Sequence, residues 1–190
     1  MSKNLKYIAL IIIGLFLFEI CNNKKSIRSD SIEPVITKPK EKIFNPTERP
    51  LNGFSPYDNY YGRGIYNNST NNVIHVTSPL YHDIVILIKD IYSGRMIRNE
   101  YIRSNSSFSL TGVPYGTFKF YYTYGKDWSK DADFKNGLAK GNFLTESGVS
   151  KSDKSYDIFF EQGYESSYTL KLQLTTAGNL STISSSEDEL

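Results

Sequence analysis

The sequence predicts an all-β fold, an antiparallel β-sandwich of about seven strands. Three observations carry this. Short apolar runs with period-two alternation recur between Phe54 and Leu174. Aromatic residues are abundant, 15 Tyr and 11 Phe against 2 Met, and aromatic rings pack well on a pleated surface. No long stretch has the spacing of an amphipathic helix, and no internal repeat is present.

The elements follow in chain order. Val73 to Thr77 is a short β-rich run. Ile84 to Ile88 is apolar at every position, which marks a strand covered on both faces or set in a sandwich centre. Ser93-Gly94 signals a turn, and Met96 to Arg103 returns as the partner strand. Asn105-Ser106 turns the chain again, and Phe108 and Leu110 then alternate with polar neighbours. After Pro114-Tyr115-Gly116, the residues Phe118, Phe120, Tyr122 and Tyr124 share one face. Thr117, Lys119, Tyr121 and Thr123 share the other. Ile158 to Phe160 is a further apolar run, and Tyr168, Leu170, Leu172 and Leu174 alternate along a half-buried strand.

Within this order, YIRSNSSFSLTGVPYGTFKFYYTYG resembles the middle of a prealbumin-like or carboxypeptidase-regulatory-like sandwich domain. Val113-Pro114-Tyr115-Gly116-Thr117-Phe118 stands where those domains carry a Leu-Pro-x-Gly-Thr-Tyr turn between two strands. The pieces DIVILIKDIYSGRMIRNEYI and PYDNYYGRGIY are similar to small exported proteins of Bacteroidetes-type bacteria. The resemblance spans Phe54 to Leu174 and implies a non-catalytic surface module.

The chain ends read differently. Residues 1–21 have the layout of an export signal. Lys3 and Lys6 precede an unbroken apolar run from Tyr7 to Phe18, and Cys21 follows. The arrangement resembles a bacterial lipoprotein signal, in which Cys21 becomes the lipid anchor. Phe18, Glu19 and Ile20 are bulky or charged where such signals carry small residues, so the alternative is an uncleaved membrane helix. Either way the domain is expected to be exported and membrane-associated, in the cell envelope. Residues 22–50, with Pro34, Pro39, Pro46 and Pro50 among charged and small polar residues, read as an extended linker. The folded domain is expected over 51–176, and 177–190, ending SSSEDEL, as a disordered acidic tail.

Composition removes several function classes. Twenty-two basic residues face 20 acidic ones, and they are not clustered as in a nucleic-acid protein. A single cysteine excludes an internal disulfide and any multi-cysteine zinc site. His75 and His82 lack a third metal ligand at suitable spacing, and no nucleophile elbow accompanies them. Asp127, Asp131, Asp133 and Asn136 crowd KDWSKDADFKNG, but without the spacing of a calcium loop, so a solvated loop is expected. No catalytic residue, cofactor or metal is assigned.

What remains is a binding or structural role towards a protein or glycan partner. Trp128 and Tyr121 lie off the alternating face and are candidate binding residues, with Tyr115 and, in NYYGRGIY, Arg63 beside them. Core packing is the competing reading for each aromatic. An accessory module recognising glycans through these aromatics is the alternative function, and an enzyme the third.

Overall fold

A computed structural model describes residues 49–154, 157–173 and 182–190. The predicted export segment, Cys21, most of the predicted linker and Leu174 lie outside these residues. Among the described residues no helix is long and apolar enough to cross a membrane.

The all-β reading holds. Among the described residues one short helix, α1 (Asp58–Tyr61), precedes nine strands. These are β1 (Val73–Thr77), β2 (Asp83–Asp90), β3 (Met96–Ile102), β4 (Ser107–Thr111) and β5 (Gly116–Phe134). There follow β6 (Ala139–Ser152), β7 (Ile158–Phe160), β8 (Ser167–Lys171) and β9 (Thr182–Ser185). One sheet has the order β4-β1-β8. The other runs β3-β2-β5-β6-β9, with β7 pairing the start of β5. All described pairings are antiparallel except β1 with β8, which is parallel.

The larger sheet is buried on both faces, which is why Ile84 to Ile88 has no polar position. On one face Ile84, Ile86, Ile88, Phe118, Phe120 and Tyr122 pack against Ile74, Val76, Leu110 and Leu170 of the smaller sheet. This is the sandwich core that the alternation predicts. On the opposite face Val85, Leu87, Tyr101, Tyr121, Trp128 and Phe143 form a second core, closed by Tyr57 and Leu190.

Three expectations need correction. The stretch KDWSKDADFKNG is mostly strand: β5 continues to Phe134, and the chain reverses over Lys135–Leu138, where the Leu138 amide donates to the Lys135 carbonyl. Of the predicted disordered tail, residues 182–190 are ordered against the domain. β9 pairs β6 from Val149 to Ser152, and a 3-10 turn (Glu187–Glu189) delivers Leu190 to the second core. Residues 49–50, predicted to belong to the linker, are bonded to the domain. Arg49 Nε donates to Asp83 at 2.7 Å, and Arg103 Nε to the Pro50 carbonyl at 2.7 Å.

The second core rests on broken alternation. Tyr121 and Trp128 are seven residues apart, an odd separation that puts them on opposite faces of a regular strand. The β5–β6 register shifts between Tyr124 and Lys126. Asp127 and Glu146 there have φ of 55° and 47°. This bulge re-aims the strand so that both rings reach the same core. Gly141 completes the fit. Its φ is +103°, and a Cβ there would lie 2.7 Å from the Trp128 ring, so only glycine suits both backbone and space.

Edge strand β3 is covered by the chain that precedes β1. The Gly53 amide donates to the Tyr101 carbonyl at 2.8 Å, Tyr101 to Phe54 at 2.7 Å and Ile65 to Ile97 at 2.9 Å. These bonds remove a free edge that would invite pairing with another chain.

Candidate functional site

The covering segment and the far end of the β5–β6 hairpin meet at a cleft of about 310 Å³. Its floor is built first. Tyr57, 1% exposed, stacks on Phe134 with ring centroids 4.1 Å apart and planes 7° apart. Its hydroxyl donates to the Gly141 carbonyl at 3.1 Å, and its amide to Asn99 Oδ1 at 2.8 Å. Burial pushes the Tyr57 hydroxyl well above the ordinary tyrosine range, so it stays a neutral donor. Trp128 packs edge-on against Tyr101 and Phe143, at 5.1 and 5.0 Å. Over this floor stand half-exposed apolar walls, Phe54, Tyr60 and Leu138, with Asn59, Lys130 and Lys140 at the rim. A site with rigid buried aromatics below and accessible rings above can hold a planar or apolar group and orient it through the polar rim.

A second, polar cavity of about 400 Å³ shares Trp128 and is lined by Arg49, Tyr81, Asp83, Arg103, Lys126 and Asp127 among others. Its charges are committed to structure. Burial pushes the Asp83 carboxyl up. Hydrogen bonds from Arg49, Tyr101 and the Ser104 amide outweigh this and hold it below the usual carboxylate range. The same cluster raises Tyr101, by burial first and then by its bond to Asp83. Lys126 pairs with Glu146 at 2.6 Å, and Thr145 donates to Asp127 at 2.7 Å.

The predicted binding residues do not converge. Trp128 is 3% exposed and contributes an edge to both cavities rather than an open platform. The expectation that it sits on a loop surface is overturned, because β5 carries it into the second core. Tyr121 is 7% exposed in that core, under Lys89 at 5.7 Å. Tyr115 packs against the sandwich core. Arg63 is exposed just after α1, and no ion pair among the described residues includes it. Phe54, Leu138 and Lys140 were missed. Phe54 and Leu138 are isolated apolar residues beside turn glycines, and only the closed hairpin brings them together.

The other predicted groups disperse as well. His75 Nδ1 lies 2.8 Å from Ser109 Oγ on the exposed face of the smaller sheet, and His82 Nε2 lies 2.9 Å from Glu146. Asp133 pairs with Lys140, and Asn136 donates to Asp188. Among the described residues no group of three His, Cys, Asp or Glu could hold a metal ion.

One buried pair stands apart. Arg98 and Glu100 pair with Ile88 and Ile86 and therefore share the sandwich-core side of β3. Arg98 Nη1 donates to Glu100 Oε1 at 3.0 Å, its Nη2 to the Thr111 carbonyl, and its guanidinium lies 3.7 Å from the Tyr66 ring centroid. Arg98 Nε and Glu100 Oε2 have no partner among the described residues. Burial pushes the Glu100 carboxyl up to about 7 despite the Arg98 charge.

Comparison with known proteins finds no matching family, no matching curated protein and no matching solved structure.

Proposed function

We propose that this chain is an exported, membrane-tethered, non-catalytic β-sandwich module that recognises a partner at the cell surface through the Phe54–Tyr60–Leu138 cleft. The observation that carries this reading is the cleft itself. Phe54 is 52% exposed and Leu138 66% exposed, directly above a floor fixed by stacking and hydrogen bonds. Exposed apolar side chains gathered over a rigid base are the usual anchors of a recognition surface. The non-catalytic part is supported by the scatter of His75, His82 and the carboxylates, which among the described residues bring no nucleophile, base and acid together. The resemblance of Val113–Phe118 to carboxypeptidase-regulatory-like turns points the same way. Tethering is supported by the apolar run from Tyr7 to Phe18 and by Cys21.

A glycan is the second reading. The Phe54 and Tyr60 rings beside Asn59 and Lys130 offer stacking faces with polar groups at their edge, which suits a sugar ring. A glycan array probed with the full chain tests it, with Phe54→Ala/Tyr60→Ala as control. Glycan capture lost in that double variant is the expected result. Capture retained in it would remove the cleft from the account. For location, the full-length chain is expected in the membrane fraction, and loss of labelled-lipid incorporation in Cys21→Ser selects the lipid-anchored form. Intact chain in the soluble cytosolic fraction would overturn the tether.

A further inference from the structure

The segment from Thr182 to Leu190 sits on the domain as a bound peptide would. Its strand adds to the edge of β6, Thr182 opposite Ser152 and Ser185 opposite Val149. Beyond the strand its acidic residues meet a cradle of bases and amides. Lys151 binds Glu189, and Lys89 Nζ donates to the Glu189 carbonyl at 3.0 Å. The Lys135 amide and Asn142 hold the two oxygens of Glu187 at 2.6 and 3.0 Å, and Lys135 Nζ reaches the Leu190 carbonyl. Leu190, 6% exposed, is the one side chain of the segment buried in the core. Edge-strand peptide recognition takes affinity from main-chain pairing and specificity from side-chain contacts, supplied here by the matched charges and the single apolar anchor. The attachment is also light. Only four residues pair, Ile183 is 47% exposed, and the ion pair to Glu189 is open to water, so this element belongs to the low-stability end of the fold.

We propose that the β6 edge and its Lys89–Lys135–Lys151 cradle form a docking site for an acidic strand closed by a leucine, and that its occupant in trans is residues 182–190 of a second copy of this chain. The complementary sequence is the chain's own, and exchange of an identical element is a low-cost route to association. The inference is independent of the cleft.

Two differently tagged chains, both beginning at Met1, test it. The receptor ends at residue 181. The donor keeps its segment but carries Lys135→Glu and Lys151→Glu, which disable its own cradle. The receptor is expected to retain the donor, with retention falling at least tenfold when the donor also carries Leu190→Glu. If the chain ending at 181 does not melt cooperatively, the receptor is the full chain with Leu190→Glu, and the probe is a labelled peptide of residues 182–190. A folded receptor that retains neither donor nor peptide overturns the proposal. So does equal retention of the Leu190→Glu donor or peptide. Failure of both receptors to fold would also overturn it, because the segment would then be an obligatory part of the domain.

Discussion

The two faces of the large sheet are built by different rules. The sandwich core is mostly aliphatic, drawn mainly from strands between Ile74 and Leu170 with Val113 and Leu172 beside them, and every contributor on β2 and β5 obeys strict alternation. The second core is mostly aromatic. It takes Tyr57 from the segment before α1, Trp128 from beyond a bulge and Leu190 from an acidic segment. Regular pleating builds the first surface; the second needs exceptions to pleating. A sheet therefore offers a dependable face and an adaptable one, and here the cleft and the strand-docking edge both lie with the adaptable face.

The sharpest test of this contrast compares two aromatic truncations in one strand. Phe120→Ala is expected to cost about 3–5 kcal/mol, the usual loss for a buried aromatic. Trp128→Ala is expected to cost the same about 3–5 kcal/mol, since Trp128 is 3% exposed. Both should lower the midpoint of a single denaturant transition. If Trp128→Ala instead splits the transition in two, the second core is a separate cooperative unit.

A second test lies in pH. Glu100 holds its proton to about 7 in the folded chain, against an ordinary value of 4.5. The folded state thus binds more protons than the unfolded state between those values. Stability from this group is full below about pH 4.5 and is lost as pH rises towards 7, by an amount on the order of 3 kcal/mol. Glu100→Gln is expected to flatten denaturation midpoints measured from pH 5 to 8. An unchanged slope would show that Arg98 neutralises Glu100 fully. Asp83 acts in the opposite sense: its depressed carboxyl loses stabilisation only as pH falls below its ordinary 3.8, outside that window.

Smaller effects are expected at the rim. Leu190→Ala is expected to cost about 2 kcal/mol, the low end for a leucine core truncation, because Leu190 anchors the margin of its core rather than the centre. Tyr60→Ala, on the exposed cleft wall, is expected to stay within about 0.5 kcal/mol. A larger loss in thermal or denaturant unfolding would turn that wall from a recognition surface into structural packing.

Much of this was legible from residue order. The runs at Ile84–Ile88 and Phe118–Tyr124 revealed the sheet, and the apolar character of every position from Ile84 to Ile88 anticipated cover on both faces. What covers the second face was not legible. The bulge at Tyr124–Lys126 reverses the alternation, and no local composition announces it. Asp127 and Asp133 made a strand look like a loop, because their bonds to Thr145 and Lys140 exist only once the hairpin closes. The charges of Glu187–Glu189 hid the ordered segment in the same way. Arg98 and Glu100 fall inside the predicted strand Met96 to Arg103, but nothing in residue order marks them as the buried pair they form. Of the candidate site, Tyr60 stands in the NYYGRGIY stretch that was singled out for Arg63, whereas Phe54 and Leu138 lie 84 positions apart in the sequence.

The position of Leu190 also orders events during synthesis. Among the described residues the sandwich core draws on nothing later than Leu172, so those members are all translated before residues 182–190 exist. The margin of the second core closes only when Leu190 arrives, and the bond from Lys89 to Glu189 then spans 100 positions. Such distant closure is slow relative to local pairing. A nascent chain therefore passes through a stage with one face of its central sheet sealed and the margin of the other still open, showing the β6 edge and the lysines at positions 89, 135 and 151 to whatever escorts it.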